Sequence, residues 1–381
     1  QQEVLIGSFS DTELHEVVDE LYIDDMVDIV EEMPANVVKR ILQNSDSNTR
    51  QLINEILKYP PDSAGSIMTT EFITLHAGMT IGEAIKRIRE KGLDSETIET
   101  CYVTDSVRHL IGFVTIRTII LSDENAKIED VMNRNVISVG TTEDQETVAN
   151  LFAKYDLTVL PVVDNEKRIV GIVTVDDAID VLQKEATEDI EKMAAIIPTD
   201  KPYLKKTTLE IWKSRIPWLL ILMISATFTG MIISHFEDAL KAYVILTAYI
   251  PMLMDTGGNS GSQASVTVIR SLSLHELSFS DIFRVIWKEF RVALLCSVTL
   301  ALVYFLKLIM FDGTGIYVAL VICITLILTV FVAKLVGCIL PMAAKKIGFD
   351  PAVMASPFIT TIVDAISLLI YFNIAGIVLH I

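Results

Sequence analysis

The residues best placed to do chemistry lie in Asp350–Tyr371, DPAVMASPFITTIVDAISLLIY, where the carboxylate of Asp364 sits in an apolar run. A charged side chain at membrane depth costs about 2.5–3.5 kcal/mol on insertion scales, so such residues face a water-filled path or a partner. On a helix, positions 353, 357, 360, 364, 367 and 371 share one stripe, which brings Pro357, Thr360, Asp364, Ser367 and Tyr371 together. Pro357 has no N–H, so in a continuous helix the carbonyl of Val353 is left free to face water or an ion. The stripe offers carboxylate, carbonyl and hydroxyl oxygen without sulfur or imidazole. Such donors suit hard divalent cations, Mg²⁺ above all, because it keeps much of its hydration shell. The alternative is a structural ion pair between Asp364 and Lys334 or Lys307.

A second polar interruption is Pro251–Gln263, PMLMDTGGNSGSQ. Glycines and amides inside an apolar run are tolerated where helices pack closely or backbone lines a cavity. One reading is therefore a small-residue packing face; the other is a path lined by Gly258 and Asn259, with Pro357 and Thr361 from the last segment.

The elements that must position these residues divide the chain in two. It has 381 residues, 51% of them hydrophobic, with 31 Lys and Arg against 49 Asp and Glu. Residues 211–381 carry 11 basic and 9 acidic side chains, leaving 20 against 40 in residues 1–210. The acidic half excludes nucleic-acid binding, which needs a basic surface, and favours cations. Five apolar segments are each long enough to span a bilayer: about 216–234, 242–268, 289–310, 316–341 and 355–379. Lys213, Arg215, Arg270, Arg284, Lys288, Arg291, Lys345 and Lys346 all fall on one side of them. The positive-inside rule then makes the acidic half cytoplasmic and puts the C-terminus outside a plasma membrane. The four cysteines form no CxxC pair, in keeping with a reducing compartment. No P-loop, HExxH or GxSxG is present and the six histidines are scattered, so no catalytic residue and no enzyme activity is expected.

Residues 1–62 read as short helices with too little apolar material for an independent core, Asp11 being the expected N-cap of the first. Two similar units follow, 63–127 and 128–184, each running strand, helix, strand, turn, strand, helix. Met68 and Met132 correspond, as do Gly112-Phe-Val-Thr and Gly171-Ile-Val-Thr. Each unit is too small to bury its sheet alone, so the two are expected to pack as a pair. A polar helix and linker, 185–212, joins them to residues 213–381.

The two units resemble tandem cystathionine-β-synthase-type (CBS) domains, small regulatory modules that bind adenine nucleotides or metal ions. The helix-opening [ST]-x-x-D of nucleotide-binding members is present as Thr174-Val-Asp-Asp177, whereas the first unit has Thr115-Ile-Arg-Thr118. ATP is a possible ligand by that resemblance; otherwise Asp177 caps a helix start. The glycine block, GFDPAVMASPFITTIVDAISLLIYF and the CBS pair ending TVDDAIDVLQKEATEDIEK together resemble the MgtE family of magnesium channels. The resemblance implies a multidomain fold: a short α-helical N-terminal segment, α/β tandem CBS domains and an all-α polytopic membrane domain of five transmembrane helices. It also implies a homodimer in the lipid bilayer whose pore lies on the two-fold axis, conducting divalent cations. Asp364 would hold hydrated Mg²⁺ beside the Thr360 backbone, with Asn259 along the path. Regulatory Mg²⁺ would bind acidic interfaces and close the pore: Asp24 and Asp28 facing Asp177, Asp156 and Asp180 meeting the other subunit, and Glu185, Glu188 and Asp189 approaching Asp350. Two departures stand out. The N-terminal segment is shorter than the family's usual domain, and Ser356 replaces the Asn that some relatives carry before Pro357. An ion-coupled divalent-cation carrier and a membrane-anchored CBS sensor without transport are the competing readings.

Overall fold

A computed structural model describes residues 5–6, 8–199, 201–354 and 356–380. The chain divides into two compact units, Gln1–Glu185 and Ala186–Ile381.

The first unit opens with four ten-residue helices: α1 (Asp11–Glu20), α2 (Ile23–Glu32), α3 (Ala35–Asn44) and α4 (Ser47–Ile56). Ser10, not Asp11, caps α1, through a reciprocal box with Glu13. Leu14, Met26, Val27, Ile41 and Ile53 interlock with Ile56 in a core of the bundle's own. That corrects the expectation that this segment lacks one: four helices each contribute an apolar face, so little material per helix suffices.

Two three-stranded sheets follow. In the first, β1 (Thr74–His76) runs parallel to β2 (Thr100–Thr104), which pairs antiparallel with β3 (Leu110–Thr115). In the second, β4 (Val139–Gly140), β5 (Val159–Val163) and β6 (Ile169–Thr174) repeat the order, with the register shift at the equivalent place. Helices α5 (Ile81–Lys91), α6 (Ile116–Leu121), α7 (Ile128–Val131) and α8 (Gln145–Tyr155) complete the two repeats. The repeats clasp each other reciprocally. A Cβ at Gly171 would lie 2.6 Å from Met68 Sδ, and one at Gly112 would lie 2.9 Å from Met132 Sδ. Each methionine therefore needs the other repeat's glycine. Helix α9 (Val175–Met193) runs unbroken past residue 184, so the connecting helix is the last helix of the second repeat continued.

The second unit holds the long helices α10 (Thr208–His235), α12 (Ile250–Ser273), α13 (Ile282–Met310), α14 (Ile316–Lys346) and α15 (Ser356–Leu379), with short α11 (Glu237–Ala242) between the first two. Among the described residues, four helical segments are long and apolar enough to cross a membrane; α12 is not one of them. Its span was expected to begin near 242, but residues 244–249 form a 3₁₀ turn and the helix starts at Ile250. Glycines, Asp255, Asn259 and Gln263 dilute its apolar character.

Those glycines set the packing. A Cβ on Gly337 of α14 would run into the Gly261 carbonyl oxygen, and one on Gly257 would lie 2.7 Å from Thr329 Cγ2 and 2.9 Å from Val363 Cγ1. Helix α12 is thus drawn against α14 and α15 closer than side chains permit. Gly337→Ala is expected to push α12 and α14 apart and destabilise the unit by about 1–3 kcal/mol. Thermal unfolding of the detergent-solubilised protein measures this, and an unchanged midpoint would count against the seam.

Candidate functional site

Helix α15 begins at Ser356, after a 3₁₀ turn at Pro351–Met354. Pro357 therefore sits in the first turn, where its missing N–H costs nothing. Val353 lies in that 3₁₀ turn and not in an α-helical turn, so the continuous helix assumed for its carbonyl is not what the described residues form. The Pro357 carbonyl accepts from the hydroxyls of both Thr360 and Thr361, at 2.9 Å each. Within the predicted stripe, Ser367 and Tyr371 are buried, donating to the carbonyls of Val363 (2.6 Å) and Leu246 (2.9 Å). Only Pro357, Thr360 and Asp364 of the stripe's polar end remain half-buried. The stripe thus divides between a packed half and an accessible half.

Neither lysine neutralises Asp364. Lys307 pairs with Asp312 in the following loop, and Lys334, only 4% exposed, lies 3.8 Å from Glu289. Among the described residues the Asp364 carboxylate makes no ion pair or hydrogen bond, and Asp255 on α12 lies within its electrostatic reach. The glycine block divides between two faces of α12: the glycines pack, and Asp255 and Asn259 face a cavity. Gly257, Gly258 and Gly261 are buried, Gly258 so closely that a Cβ would lie 2.9 Å from Thr360 Cγ2. Asp255 and Asn259, one turn apart, are exposed, and with Gln263, Thr299 and Lys334 they line a cavity of about 500 Å³. Gly258 is therefore a packing residue that sets the distance to Thr360, and Asn259 is the side chain turned outward.

Acids also gather at the start of the second unit. Lys192 on α9 donates to Asp350 Oδ2 at 2.6 Å and pairs with Glu188. Asp189 accepts from Ser273 Oγ at 3.1 Å, while burial raises its pKa against that bond. Burial also opposes the Lys192 charge, but the hydrogen bonds it donates to Asp350 and Glu188 outweigh it and hold its pKa up. Lys192 was not anticipated: nothing in its sequence surroundings points to a partner 158 positions away.

In the first unit the Asp177 carboxylate acts on Asp24, and Asp28 acts on Asp177. Burial, then the Asp177 carboxylate, pushes Asp24 up to about 8. Burial also raises Asp177 to about 6, opposed by a 2.5 Å hydrogen bond from Thr174 Oγ1. Two further acids join them. Glu96 is raised to about 7, by burial and then by Asp176 and Asp177, and its Oε2 is buried without a partner among the described residues. Glu71, raised by burial, accepts from the Ile23 N–H at 3.0 Å. Neither carries a motif, and only the fold brings them in. Asp28, Asp156 and Asp180 are exposed, Asp156 in the left-handed C-cap of α8, and Glu185 accepts from Gln145 Nε2 at 2.9 Å. Among the described residues no three His, Cys, Asp or Glu converge as direct ligands of one metal ion. An ion that keeps its water shell does not need them to.

Residues 250–374 match the MgtE divalent cation transporter family, residues 1–62 the MgtE intracellular N domain, and residues 64–124 and 128–184 the CBS domain. The magnesium transporter MgtE of Thermus thermophilus is 39% identical over 362 residues, covering 94% of this chain and 80% of the relative. That of Bacillus subtilis is 36% identical over 361 residues, covering 94% and 78%. Among solved structures, the cytosolic domain of the Mg²⁺ channel MgtE in complex with ATP is 39% identical, with a TM-score of 0.45, covering 47% of this chain and 74% of that one. The soluble part of a magnesium transporter is 34% identical, with a TM-score of 0.47, covering 48% and 72%.

The raised acids of the first unit give a pH test. A carboxylate whose pKa is higher folded than unfolded costs nothing while both states are protonated, and destabilises as pH climbs through the folded pKa. Without divalent cations, the unfolding transition of the first unit should fall from about pH 4 to about pH 8, and added Mg²⁺ should flatten the slope. Asp24→Asn should weaken the dependence; a transition independent of pH in chelator would overturn this account.

Proposed function

The chain belongs to the MgtE family of magnesium transporters, and on that premise we propose that Mg²⁺ crosses the membrane along the face holding Asp364, Asp255 and Asn259. The observation that carries this reading is the Asp364 carboxylate, set in an apolar helix with no counter-charge or hydrogen bond among the described residues. An anion so placed is costly unless a cation or its water shell meets it. Hydrated Mg²⁺ presents waters as donors, which Asp364 and the Asn259 amide oxygen can accept. Helix α12 serves as the fifth span, less apolar than the others because one face meets water and another packs without side chains.

The chain works as a homodimer, the exposed Asp255–Asn259 face of each copy meeting its equivalent about a two-fold axis, so that two Asp364 carboxylates act on one path. The basic loop residues support a topology with the first unit in the cytoplasm and the C-terminus outside.

Cytosolic Mg²⁺ closes this path. Asp24 and Asp28 with Asp177, Asp156 and Asp180 against the second copy, and Glu188 and Asp189 with Asp350 are acidic surfaces that repel until a cation lies between them. Oxygen donors alone fit a hard divalent ion. Asp177 is committed to Thr174 and to this acidic surface, which favours a cation there over a nucleotide's ribose.

Mg²⁺ flux into proteoliposomes tests the path. Asp364→Ala should lower it by about tenfold or more, the factor that ~1.4 kcal/mol of lost ion stabilisation represents. Wild-type flux through a folded Asp364→Ala protein would sink the assignment.

A further inference from the structure

Among the described residues of the second unit, Glu188 and Asp350 share the Lys192 ammonium, and Asp189 lies within its electrostatic reach. The two oxygens of Asp350 are engaged differently. Oδ1 accepts from the Ala352 N–H at 2.8 Å and so fixes the 3₁₀ turn ahead of α15. Oδ2 takes Lys192 Nζ at 2.6 Å. The same ammonium pairs with Glu188, one helical turn back on α9. Lys192 thus lies on the two oxygens that a bridging cation would need, and its side chain is only 24% exposed.

We propose that Lys192 is a tethered cation that competes with divalent ions for Asp350 and Glu188 and thereby sets the concentration at which this site fills. The inference rests on the reading that cytosolic Mg²⁺ closes the path through these acids. An ammonium on its own chain is present at high effective concentration whatever the Mg²⁺ level. It brings one positive charge to three negative ones, so the site keeps an unmet charge of two. A divalent ion compensates more of it and can carry bridging waters, but must first displace the lysine into solvent. Glu188 and Asp350 remain joined without the metal, and the metal's advantage is a difference between two cations rather than the whole of its attraction.

The test uses the full chain in liposomes with Mg²⁺ alone as the probe, read by hydrogen exchange over residues 186–199 and by the Mg²⁺ concentration that half-inhibits flux. Lys192→Met should lower the half-saturating Mg²⁺ in both readouts by about threefold to tenfold, the scale of a partly exposed, charge-assisted contact. Lys192→Arg, which keeps a charge on the site, should stay near the wild-type value. An unchanged midpoint in Lys192→Met overturns the proposal. So does a Lys192→Met protein that gains no protection at any Mg²⁺ level, since Lys192 would then be the latch and not a competitor. Asp350→Asn separates the two readings. If it keeps the wild-type midpoint, gating through this site fails and the inference falls with it. If it loses Mg²⁺ protection while Lys192→Met is silent, only the inference fails.

Discussion

Carboxylates held together with too little positive charge are the constraint on which both units depend. Burial raises Asp24, Glu96 and Asp177 in the first unit. In the second, among the described residues, Glu188 and Asp350 share Lys192, Asp189 lies in its electrostatic reach, and Asp364 has no ion pair. Such arrangements are unfavourable in the isolated chain, because desolvation and like charge both penalise the ionised form. They become favourable only when a cation is supplied. That shared feature of the two units is what supports the proposal that these sites respond to cations.

Close backbone approach makes the membrane half possible. Gly257, Gly258 and Gly261 let α12 settle against α14 and α15, and the contact between Gly258 and Thr360 fixes how near the Asn259 face comes to α15. The polar side chains of α12 are then turned away from the seam by helical geometry alone, since residues 255, 259 and 263 recur one turn apart on the opposite side. One segment therefore carries a packing face and an exposed polar face at once. That division by face is what the glycine spacing encodes.

Much of this was legible in the sequence, and the reasons are specific. The repeats could be read because Met68 and Met132, and Gly112 and Gly171, recur at matching places; the fold shows why, each methionine filling the space left by the other repeat's glycine. Long apolar runs announced the helices. The failures have equally local causes. A stripe drawn through residues 353–371 assumed one helix, and the 3₁₀ turn at Pro351–Met354 removed its first turn. Ser367 and Tyr371 had carbonyl partners that periodicity cannot supply. Glu71, Glu96 and Lys192 were missed because their partners are distant in the chain, and no spacing rule links Ile23 to Glu71 or Lys192 to Asp350.

The missed lysine changes how a cation-responsive site should be understood. Acidic clusters are usually described by the ion they bind, as though the alternative were bare repulsion. Here Asp350 Oδ2 and Glu188 already hold a positive charge that cannot diffuse away. The free energy that a divalent ion contributes is then reduced by the contact it replaces, which moves its working range to higher concentration without weakening any of its own ligands. For an ion that is abundant in its surroundings, lowering net affinity in this way keeps the site only partly filled, and therefore sensitive to change.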